Sequence, residues 1–421
     1  MKKLVQRAAM AALLVSVSSL SASLIVTADA AQQAKGKQAA PKEQGPSARK
    51  EIGLPINDAQ KQVEMKDFAG ALVNVKKADL VPMKTPYEEF MVSKFLGFIA
   101  INQPMPDYAA ATAAYNRQIA SNGAPDAEKA GMYSIAIRLN YQAMDYAKVI
   151  QNAAALQMIE PLDETGYIVL VQAYFNTNDF ANAAQSAKAA LMTNKPTEDM
   201  LGLLLNSQVK LKDEAGYRQT LDQLASISTK QDVWEQVMDF TLAGLSNKQG
   251  IEHSLLNLYR LGMLVGTLKN DASVDDYKSM ATIDLQNGLP SEAKAILTKG
   301  NKTGELLDQA NQMLARDQQA LPALATEAAK QMNGEVDIKL GESYLTYGRN
   351  DEAIAALQKG IEKGGLKDAA DAQTTLGIAL FNAGKKPEAL AAFQKAEAAA
   401  NSPAASVAHT WSLYVKRSTA A

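Results

Sequence analysis

Serine and lysine residues three positions apart are the strongest catalytic signal in this sequence. Such a pair can place an acylating serine beside a lysine that removes its proton. The pairs are Ser47–Lys50, Ser207–Lys210 and Ser291–Lys294, and Lys302-Thr303-Gly304 resembles a companion motif of such enzymes. Enzymes that use this serine–lysine pair also need a Ser-x-Asn motif, which occurs nowhere in the chain. Because a two-residue pattern recurs by chance among many serines and lysines, we interpret these matches as fortuitous.

The other residue types that carry out chemistry are scarce. The 421 residues include no cysteine and only two histidines, His253 and His409. Thiolate metal sites, iron–sulfur clusters, disulfides and multi-histidine metal centres are therefore excluded. We expect His409 to face solvent and His253 to lie on the flank of a helix. With no nucleophile elbow, phosphate-binding glycine loop or EF-hand spacing, we predict a non-enzyme without cofactor or metal.

The first thirty residues have the pattern of a secretory signal peptide. Three cations stand before residue 8, and an apolar stretch diluted by serines runs from about Ala8 to Val26. The segment Thr27–Ala30 fits the small-x-small rule, which predicts Sec-type export and cleavage after Ala30. An uncleaved anchor is the alternative, since the stretch has about the minimum spanning length. We expect a periplasmic protein without an integral membrane segment after cleavage; secretion from the cell is the alternative.

Residues 31–50 form a segment of different character. They carry five cations and one glutamate, and no aliphatic or aromatic side chain larger than Ala or Pro. Such a segment cannot bury a core, so we predict a disordered basic linker. Contact with anionic lipid or peptidoglycan is the alternative. The 371 residues that follow carry a net charge of −8, which argues against a nucleic-acid partner.

A period of about 34 residues runs through the chain. Asp145-Tyr146-Ala147 is followed 34 residues later by Asp179-Phe180-Ala181, and Tyr133 and Tyr167 have the same separation. Near the C-terminus a longer phrase repeats at a step of 36. Its first copy is Gly341, Tyr344, Gly348, Ala353, Leu357 and Gly360, and its second is Gly377, Leu380, Gly384, Ala389, Phe393 and Ala396. This spacing indicates repeated helix–turn–helix units.

These phrases resemble the tetratricopeptide repeat (TPR) family, and with the signal peptide the chain resembles an exported bacterial TPR protein. The resemblance is strong over residues 330–400, good over 125–227, and weak but in phase over most of 51–417. The early tryptophan of the family's unit is mostly absent. The resemblance implies an all-α fold, a right-handed α-solenoid of TPR-like helix–turn–helix repeats with about ten helix pairs and a capping helix. It also implies binding on the concave face, which the first helices line.

The residue types support such units independently of the family. Gly341 and Gly377 lie where two helices must approach closely, opposite the small residues Ala353 and Ala389. Gly348 follows the last apolar position of a first helix, where a C-cap glycine belongs. Apolar residues then recur at a helical rather than a strand period, so we predict essentially no β-sheet.

The period divides the chain into about ten units and a closing helix. We assign residues 51–230 to an N-terminal TPR-like array, 231–332 to divergent helical repeats, and 333–421 to a C-terminal TPR pair with a capping helix at about 403–417. Within the divergent part we expect a helix pair at 303–332. Residues 249–266 make an unusually long apolar helix, which we interpret as a superhelix kink or a domain seam.

One face of three first helices carries the candidate binding groove. Arg138, Gln172 and Asn206 are 34 residues apart and are expected to stack as a polar ladder, flanked by Tyr141 and Phe175. Amides can hydrogen-bond an extended peptide, and aromatic rings can hold its apolar side chains. Ordinary solvated residues would give the same pattern. The predicted groove residues are Arg138, Tyr141, Gln142, Gln172, Phe175, Asn176, Asn206 and Lys210.

Two functional classes remain. The first is a non-catalytic exported scaffold that binds a protein or peptide through this groove in a cell-envelope process. The alternative is an accessory protein of envelope biogenesis that binds glycan or peptidoglycan. Glycan binding would require exposed aromatic platforms, and the chain has only two tryptophans, Trp234 and Trp411.

Overall fold

The chain folds into helices joined by short turns. The computed structural model describes residues 46–245, 250–271 and 273–420, and the side chains of 419 and 420 lie outside this description. Within those ranges there are twenty α-helices and no β-strand beyond isolated single-residue bridges. The predicted all-α fold, an α-solenoid of helical repeats, is confirmed. The predicted signal peptide, and the predicted linker up to residue 45, lie outside the described residues.

The helices fall into two compact units, which divide between Glu214 and Ala215. The helices of the first unit are α1 Lys50–Glu64, α2 Phe68–Asp79, α3 Pro86–Asn102, α4 Tyr108–Ser121, α5 Asp126–Gln142, α6 Tyr146–Gln157, α7 Glu164–Asn176, α8 Phe180–Thr193 and α9 Glu198–Leu211. Consecutive helices pack in pairs, as α3 does with α4 and α5 with α6, and first helices also pack on first helices, as α5 does on α7.

The second unit contains the remaining eleven described helices. They are α10 Glu214–Ile227, α11 Gln231–Leu245, α12 Glu252–Val265, α13 Asp276–Gln286, α14 Pro290–Lys299, α15 Glu305–Lys330, α16 Glu335–Thr346, α17 Asn350–Lys363, α18 Ala369–Asn382, α19 Lys386–Glu397 and α20 Pro403–Ala420. The closest pairs are α16 with α17 and α18 with α19. These two pairs are the repeats that the glycine-containing phrase predicted.

An aspartate begins the second helix of the first four hairpins. The side chains of Asp67, Asp107, Asp145 and Asp179 each accept a hydrogen bond from the backbone N–H three residues further on. The recurring Asp-aromatic-Ala phrase is therefore an N-cap followed by the first residues of a helix. Such a cap typically contributes about 1 kcal/mol, and its negative charge also suits the helix N-terminus.

The predicted close helix crossings are confirmed. A Cβ added to Gly377 would lie 2.4 Å from the Cε1 atom of Phe393, and one added to Gly341 would also collide with the facing helix. The opposing residues Ala353 and Ala389 are fully buried. Only a small residue on each side allows the helices to approach this closely.

The segment predicted as a helix pair at 303–332 is a single helix. Helix α15 runs unbroken for 26 residues and includes Pro322. Its first half packs through Ala310 into one apolar core, and its second half packs through Leu321 and Ala328 into another. Apolar side chains continue on both sides of the proline, and this burial outweighs the roughly 3 kcal/mol that an interior proline costs.

The C-terminal helix does more than cap the last repeat. Helix α20 packs on α18 and α19 as expected, and also on α11 and α12 near the start of the same unit. Trp411 stacks on Phe393 with ring centroids 5.9 Å apart, and Tyr414 meets Trp234 of α11 edge to face at 5.6 Å. The second unit therefore closes on itself through an aromatic cluster.

The first helix begins inside the range predicted to be a linker. Ala48 is buried, and the Arg49 guanidinium donates two hydrogen bonds of 2.9 Å to the Glu88 carboxylate. Burial of Glu88 opposes its ionisation, but the hydrogen bonds from Arg49 outweigh that effect and lower the pKa of Glu88 to about 2. This contact attaches the start of α1 to the start of α3.

Candidate partner-binding groove

The predicted groove residues lie on three first helices of the first unit. Helix α5 carries Arg138, Tyr141 and Gln142, helix α7 carries Gln172, Phe175 and Asn176, and helix α9 carries Asn206 and Lys210. Helix α5 packs on α7, and α7 packs on α9. The 34-residue period thus repeats the same helical position from one first helix to the next.

Arg138 is partly used inside the protein. Its Nη2 atom donates to Asp163 Oδ2 at 2.5 Å, and its Nη1 atom donates to Ser134 Oγ at 2.9 Å. The side chain is only 11% exposed. Its Nε atom is buried, and no group in the described part of the chain accepts a hydrogen bond from it.

The aromatic groove residues pack against their own hairpins. The ring centroids of Tyr141 and Tyr146 are 5.9 Å apart, and those of Phe175 and Phe180 are 5.1 Å apart. The Tyr141 hydroxyl donates to Gln172 Oε1, which joins two neighbouring first helices, and burial raises the pKa of Tyr141 to about 12. Both rings are half-buried.

The groove residues most open to solvent are Gln142, Asn176 and Lys210. Asn176 donates from Nδ2 to the backbone oxygen of Gln172. Asn206 and Gln172 are half-buried. The face therefore combines fixed, half-buried side chains with an exposed edge of two amides and one lysine.

The serines of two of the three serine–lysine pairs donate hydrogen bonds to backbone oxygens. The Ser207 hydroxyl donates to the backbone oxygen of Leu203, one turn earlier in its own helix. The Ser291 hydroxyl donates to the backbone oxygen of Thr346. The Lys302 ammonium lies 2.6 Å from Asp275 Oδ2. Each of these groups is used in a structural contact within one unit.

The expectation that His409 faces solvent is wrong. Its Nε2 atom lies 2.8 Å from Asp222 Oδ2 on α10, and its Nδ1 atom lies 3.5 Å from Glu397 on α19. The hydrogen bonds to Asp222 and Glu397 raise the pKa of His409 to about 9. Sequence reasoning missed this because Asp222 is 187 residues away.

A cavity of about 330 Å³ lies beside this histidine. Arg218 lines it, together with Gly244, Ser402 and Ser406. Protonated His409 and Arg218 together balance the carboxylates of Asp222 and Glu397, so the cavity is close to neutral. It offers two hydroxyls and one guanidinium without a strong preference for an anion or a cation.

His253 also has a partner that the sequence did not reveal. Its Nδ1 atom lies 3.1 Å from Glu342 Oε1 on α16, and this contact raises the pKa of His253. Glu342 is itself buried. His253 is 41% exposed near the start of α12, as expected of a flank residue, and it contacts a buried carboxylate.

No described helix is both long enough and apolar enough to cross a bilayer. The described residues also contain no group of three or more acidic, histidine or cysteine side chains placed to hold a metal ion.

Comparison with known proteins does not assign the chain to a family. No family model matches the chain, and no curated protein matches it. Among solved structures, it is similar to the crystal structure of the APC/C hetero-tetramer Cut9–Hcn1, with 14% identity and a TM-score of 0.25. That similarity covers 82% of this chain and 66% of the other, so this chain spans just under two thirds of its length. The described residues themselves show an array of helices packed in consecutive pairs.

Proposed function

We propose that this chain is a non-catalytic scaffold that binds a protein or peptide along the first-helix face of α5, α7 and α9. The observation that carries the proposal is a polar face of fixed, half-buried side chains with an exposed edge of Gln142, Asn176 and Lys210. Arg138 is hydrogen-bonded to Asp163 and Ser134, and Tyr141 is hydrogen-bonded to Gln172. A face that is already ordered loses little side-chain entropy when a partner binds.

The chemistry of this face suits an extended peptide. The exposed amides of Gln142 and Asn176 can donate to and accept from a peptide backbone. Lys210 adds a flexible cation at one end, which favours a peptide carrying an acidic group there. We propose that the partner is an envelope protein, and that the chain is exported by its N-terminal signal and works in the periplasm.

The alternative of a glycan ligand has less support. Sugar rings stack on exposed aromatic faces, and Trp234 and Trp411 are each only 1% exposed. Both rings take part in the aromatic cluster of the second unit. Neither is available as a platform.

The test is capture followed by competition. The mature chain, residues 31–421, is used to capture partners from an envelope extract, and the main partner is purified and its Kd measured. We expect Gln142→Ala/Asn176→Ala/Lys210→Glu to weaken binding at least tenfold, because it removes the exposed polar edge without touching the internal contacts of Arg138 and Tyr141.

A matched control lies on the second helices of the same repeats. Gln151, Gln185 and Lys188 are exposed on α6 and α8, so Gln151→Ala/Gln185→Ala/Lys188→Glu makes the same chemical changes on the other face. It should bind like the wild type. Equal weakening by both variants, or preferential binding of purified peptidoglycan, would contradict the proposal.

The export step has its own measurement. N-terminal sequencing of the protein recovered from a periplasmic fraction should begin at Ala31. Recovery of the full-length chain with the membrane fraction would contradict cleavage.

A further inference from the structure

The methionines of the first unit fall into two separate groups. Nine methionines lie between residues 46 and 214. Three of them are at most 6% exposed and belong to the apolar cores, namely Met91, Met132 and Met200. The other six are 71–90% exposed, and they are Met65, Met83, Met105, Met144, Met158 and Met192. Methionine is among the residue types most often buried, so six side chains this exposed in one unit are unusual.

All six exposed methionines lie at the ends of the hairpin helices. The turns that join a first helix to a second helix hold three of them, Met65, Met105 and Met144. The last turns of second helices, or the connections that follow them, hold the other three, Met83, Met158 and Met192. Because the two helices of a hairpin run antiparallel, these two sets lie at opposite edges of the array. Each edge therefore presents three thioether side chains to solvent.

The backbone of these turns is held by the main chain. The Met65 N–H donates to the backbone oxygen of Lys61 at 3.1 Å, and the Met144 N–H donates to that of Tyr141 at 3.0 Å. A side chain that extends into water adds little packing to its turn. A chemical change at the sulfur of such a side chain therefore leaves the turn intact.

Thioether sulfur is the group on this surface that an oxidant attacks most readily. The chain has no cysteine, and Trp234 and Trp411 are each only 1% exposed. Hypochlorous acid oxidises a thioether by two electrons: an S–O bond forms, the O–Cl bond breaks, and chloride and a proton leave. The product is methionine sulfoxide, which is polar. At an exposed turn, water solvates the new oxygen.

The same reaction at a buried methionine has a different consequence. Met91 lies in an apolar core with Phe90 and Phe95. A sulfoxide there would place a polar oxygen among apolar rings, and burial of a polar group without a hydrogen bond is unfavourable. The effect of an oxidant on the first unit therefore depends on which sulfur atoms react first.

We propose that the six exposed methionines are sites of reversible oxidation to methionine sulfoxide, and that they consume oxidant before it reaches the buried methionines of the core. Methionine sulfoxide reductases reverse the reaction. They break the S–O bond and release the oxygen as water, while two thiols are oxidised to a disulfide. The exposed turns give such an enzyme access to each side chain. This proposal does not rest on the proposed partner binding.

The first measurement locates the oxidised sulfur atoms. The mature chain, residues 31–421, receives one to six equivalents of hypochlorous acid, and mass spectrometry gives the sulfoxide fraction at each methionine. At six equivalents we expect at least tenfold more sulfoxide at each exposed position than at Met91, Met132 or Met200. Met332 of the second unit is 92% exposed and is the internal reference for a freely accessible sulfur. Equal fractions at the exposed and the buried positions would overturn the proposal.

A variant with leucine at all six exposed positions tests whether they protect the core. Leucine is close to methionine in size and has no sulfur, so the urea midpoint before oxidation should match that of the wild type. Six equivalents of hypochlorous acid should leave the wild-type midpoint unchanged. The variant should gain at least threefold more sulfoxide at its three core positions, and its midpoint should fall.

The matched control replaces the core methionines instead. The variant Met91→Leu/Met132→Leu/Met200→Leu keeps all six exposed sulfur atoms and should resist the oxidant as the wild type does. If the variant without exposed methionines gains no more core sulfoxide than the wild type, the exposed methionines do not protect the core and the proposal is overturned. If that variant does not fold, the sulfoxide fractions of the wild-type chain decide the matter.

Reversal is measured on the oxidised wild-type chain. Two methionine sulfoxide reductases, one for each sulfoxide epimer, are added with dithiothreitol, and free methionine sulfoxide confirms that both enzymes are active. At least nine-tenths of the sulfoxide at the six exposed positions should return to methionine. Sulfoxide that persists there while the free compound is reduced would show that the oxidation is not reversible and would overturn the proposal.

Discussion

The two units use the same hairpin but differ in what their first helices contact. In the unit that ends at Glu214, neighbouring first helices are joined by Tyr141 and Gln172, and an exposed polar edge remains. In the unit that begins at Ala215, the first helices α18 and α20 contact α12. Sixteen of the 23 buried polar residues in the described chain belong to this second unit. A repeat pattern thus specifies the hairpin and leaves open what the inner face contacts.

The largest expected loss of stability concerns the helix crossings that both units contain. Ala153 and Ala389 are fully buried at hairpin crossings, one in each unit. We expect Ala153→Arg and Ala389→Arg each to cost more than about 4 kcal/mol, since overpacking alone costs about 1–3 kcal/mol and the new side chain also brings a charge into the core. Urea unfolding followed by circular dichroism measures the loss. A neutral result at either site would show that its crossing is assigned wrongly.

This shared part is what the sequence predicts well. Small residues at Gly341 and Gly377, aspartate N-caps and helical periodicity are local signals, and each of them implies a hairpin. The position of α12 could not be predicted, because its partners lie far away along the chain. Arg260 and Glu292 are 32 residues apart, and Ser254 and Asp371 are 117 residues apart. The partner of His253 is Glu342, on α16. The apolar run of residues 249–266 suggested only that this segment departs from the repeat.

The groove of the first unit was predicted less completely than its helices. The period placed Arg138 and Gln172 on equivalent helical positions, and the structure agrees. The period did not reveal that the Arg138 guanidinium donates a hydrogen bond to Asp163. A period shows which positions are equivalent in successive repeats, but not which side chains contact one another.

The second prediction concerns the difference between the units. The Arg260–Glu292 pair has side chains 7% and 13% exposed, whereas Arg138 is 11% exposed and its partner Asp163 is 57% exposed, so one member of that pair is open to solvent. Removing one partner of a buried pair costs about 3–5 kcal/mol, and an exposed pair contributes about 1 kcal/mol or less. We therefore expect Arg260→Met to cost about 3 kcal/mol and Arg138→Met less than about 1 kcal/mol, both measured by urea unfolding.

Similar losses from Arg260→Met and Arg138→Met would contradict the contrast between the two inner faces. Glu292→Gln provides a further control, because it keeps the shape of the side chain while removing its charge. It should recover part of the stability of the Arg260→Met chain when the two changes are combined, since no uncompensated carboxylate then remains at that position.

The third prediction is a pH dependence confined to the second unit. His409 of α20 is held by Asp222 of α10 and Glu397 of α19, and its pKa rises from 6.5 to about 9. A raised histidine pKa adds stability that is fully present below pH 6.5 and is lost as the pH rises through 9. The expected loss is on the order of 2 kcal/mol between those values.

Thermal unfolding of the wild type and of His409→Gln from pH 6 to 10 measures this effect. The variant should be less stable at pH 6 and nearly equal to the wild type at pH 10. The raised pKa values of Asp284 and Asp371 also favour the folded state at lower pH, and both chains share that slope. If stability changes with pH in the same way in the wild type and in His409→Gln, His409 is not the cause of the pH dependence.

The smallest effect concerns the turns within the hairpins. The second unit places glycine at left-handed positions, with φ of +71° at Gly348 and +76° at Gly384, whereas the first unit places Met144 at +59° and Asn178 at +61°. A side chain in this conformation costs about 1–2 kcal/mol relative to glycine. The difference explains why the repeat phrase is easier to recognise over residues 330–400 than over 125–227.

An alanine at Gly348 and a glycine at Met144 should change the stability of the chain in opposite directions. A Cβ on Gly348 would meet no atom within 4 Å, so Gly348→Ala introduces only backbone strain and should cost about 1 kcal/mol. Met144 is 71% exposed, so Met144→Gly loses little packing. It relieves the strain but increases the entropy of the unfolded chain by about 0.4–1 kcal/mol, which leaves a stabilisation of about 0.5 kcal/mol. Urea midpoints that move in the same direction for both changes would show that the turns of the two units do not share one backbone requirement.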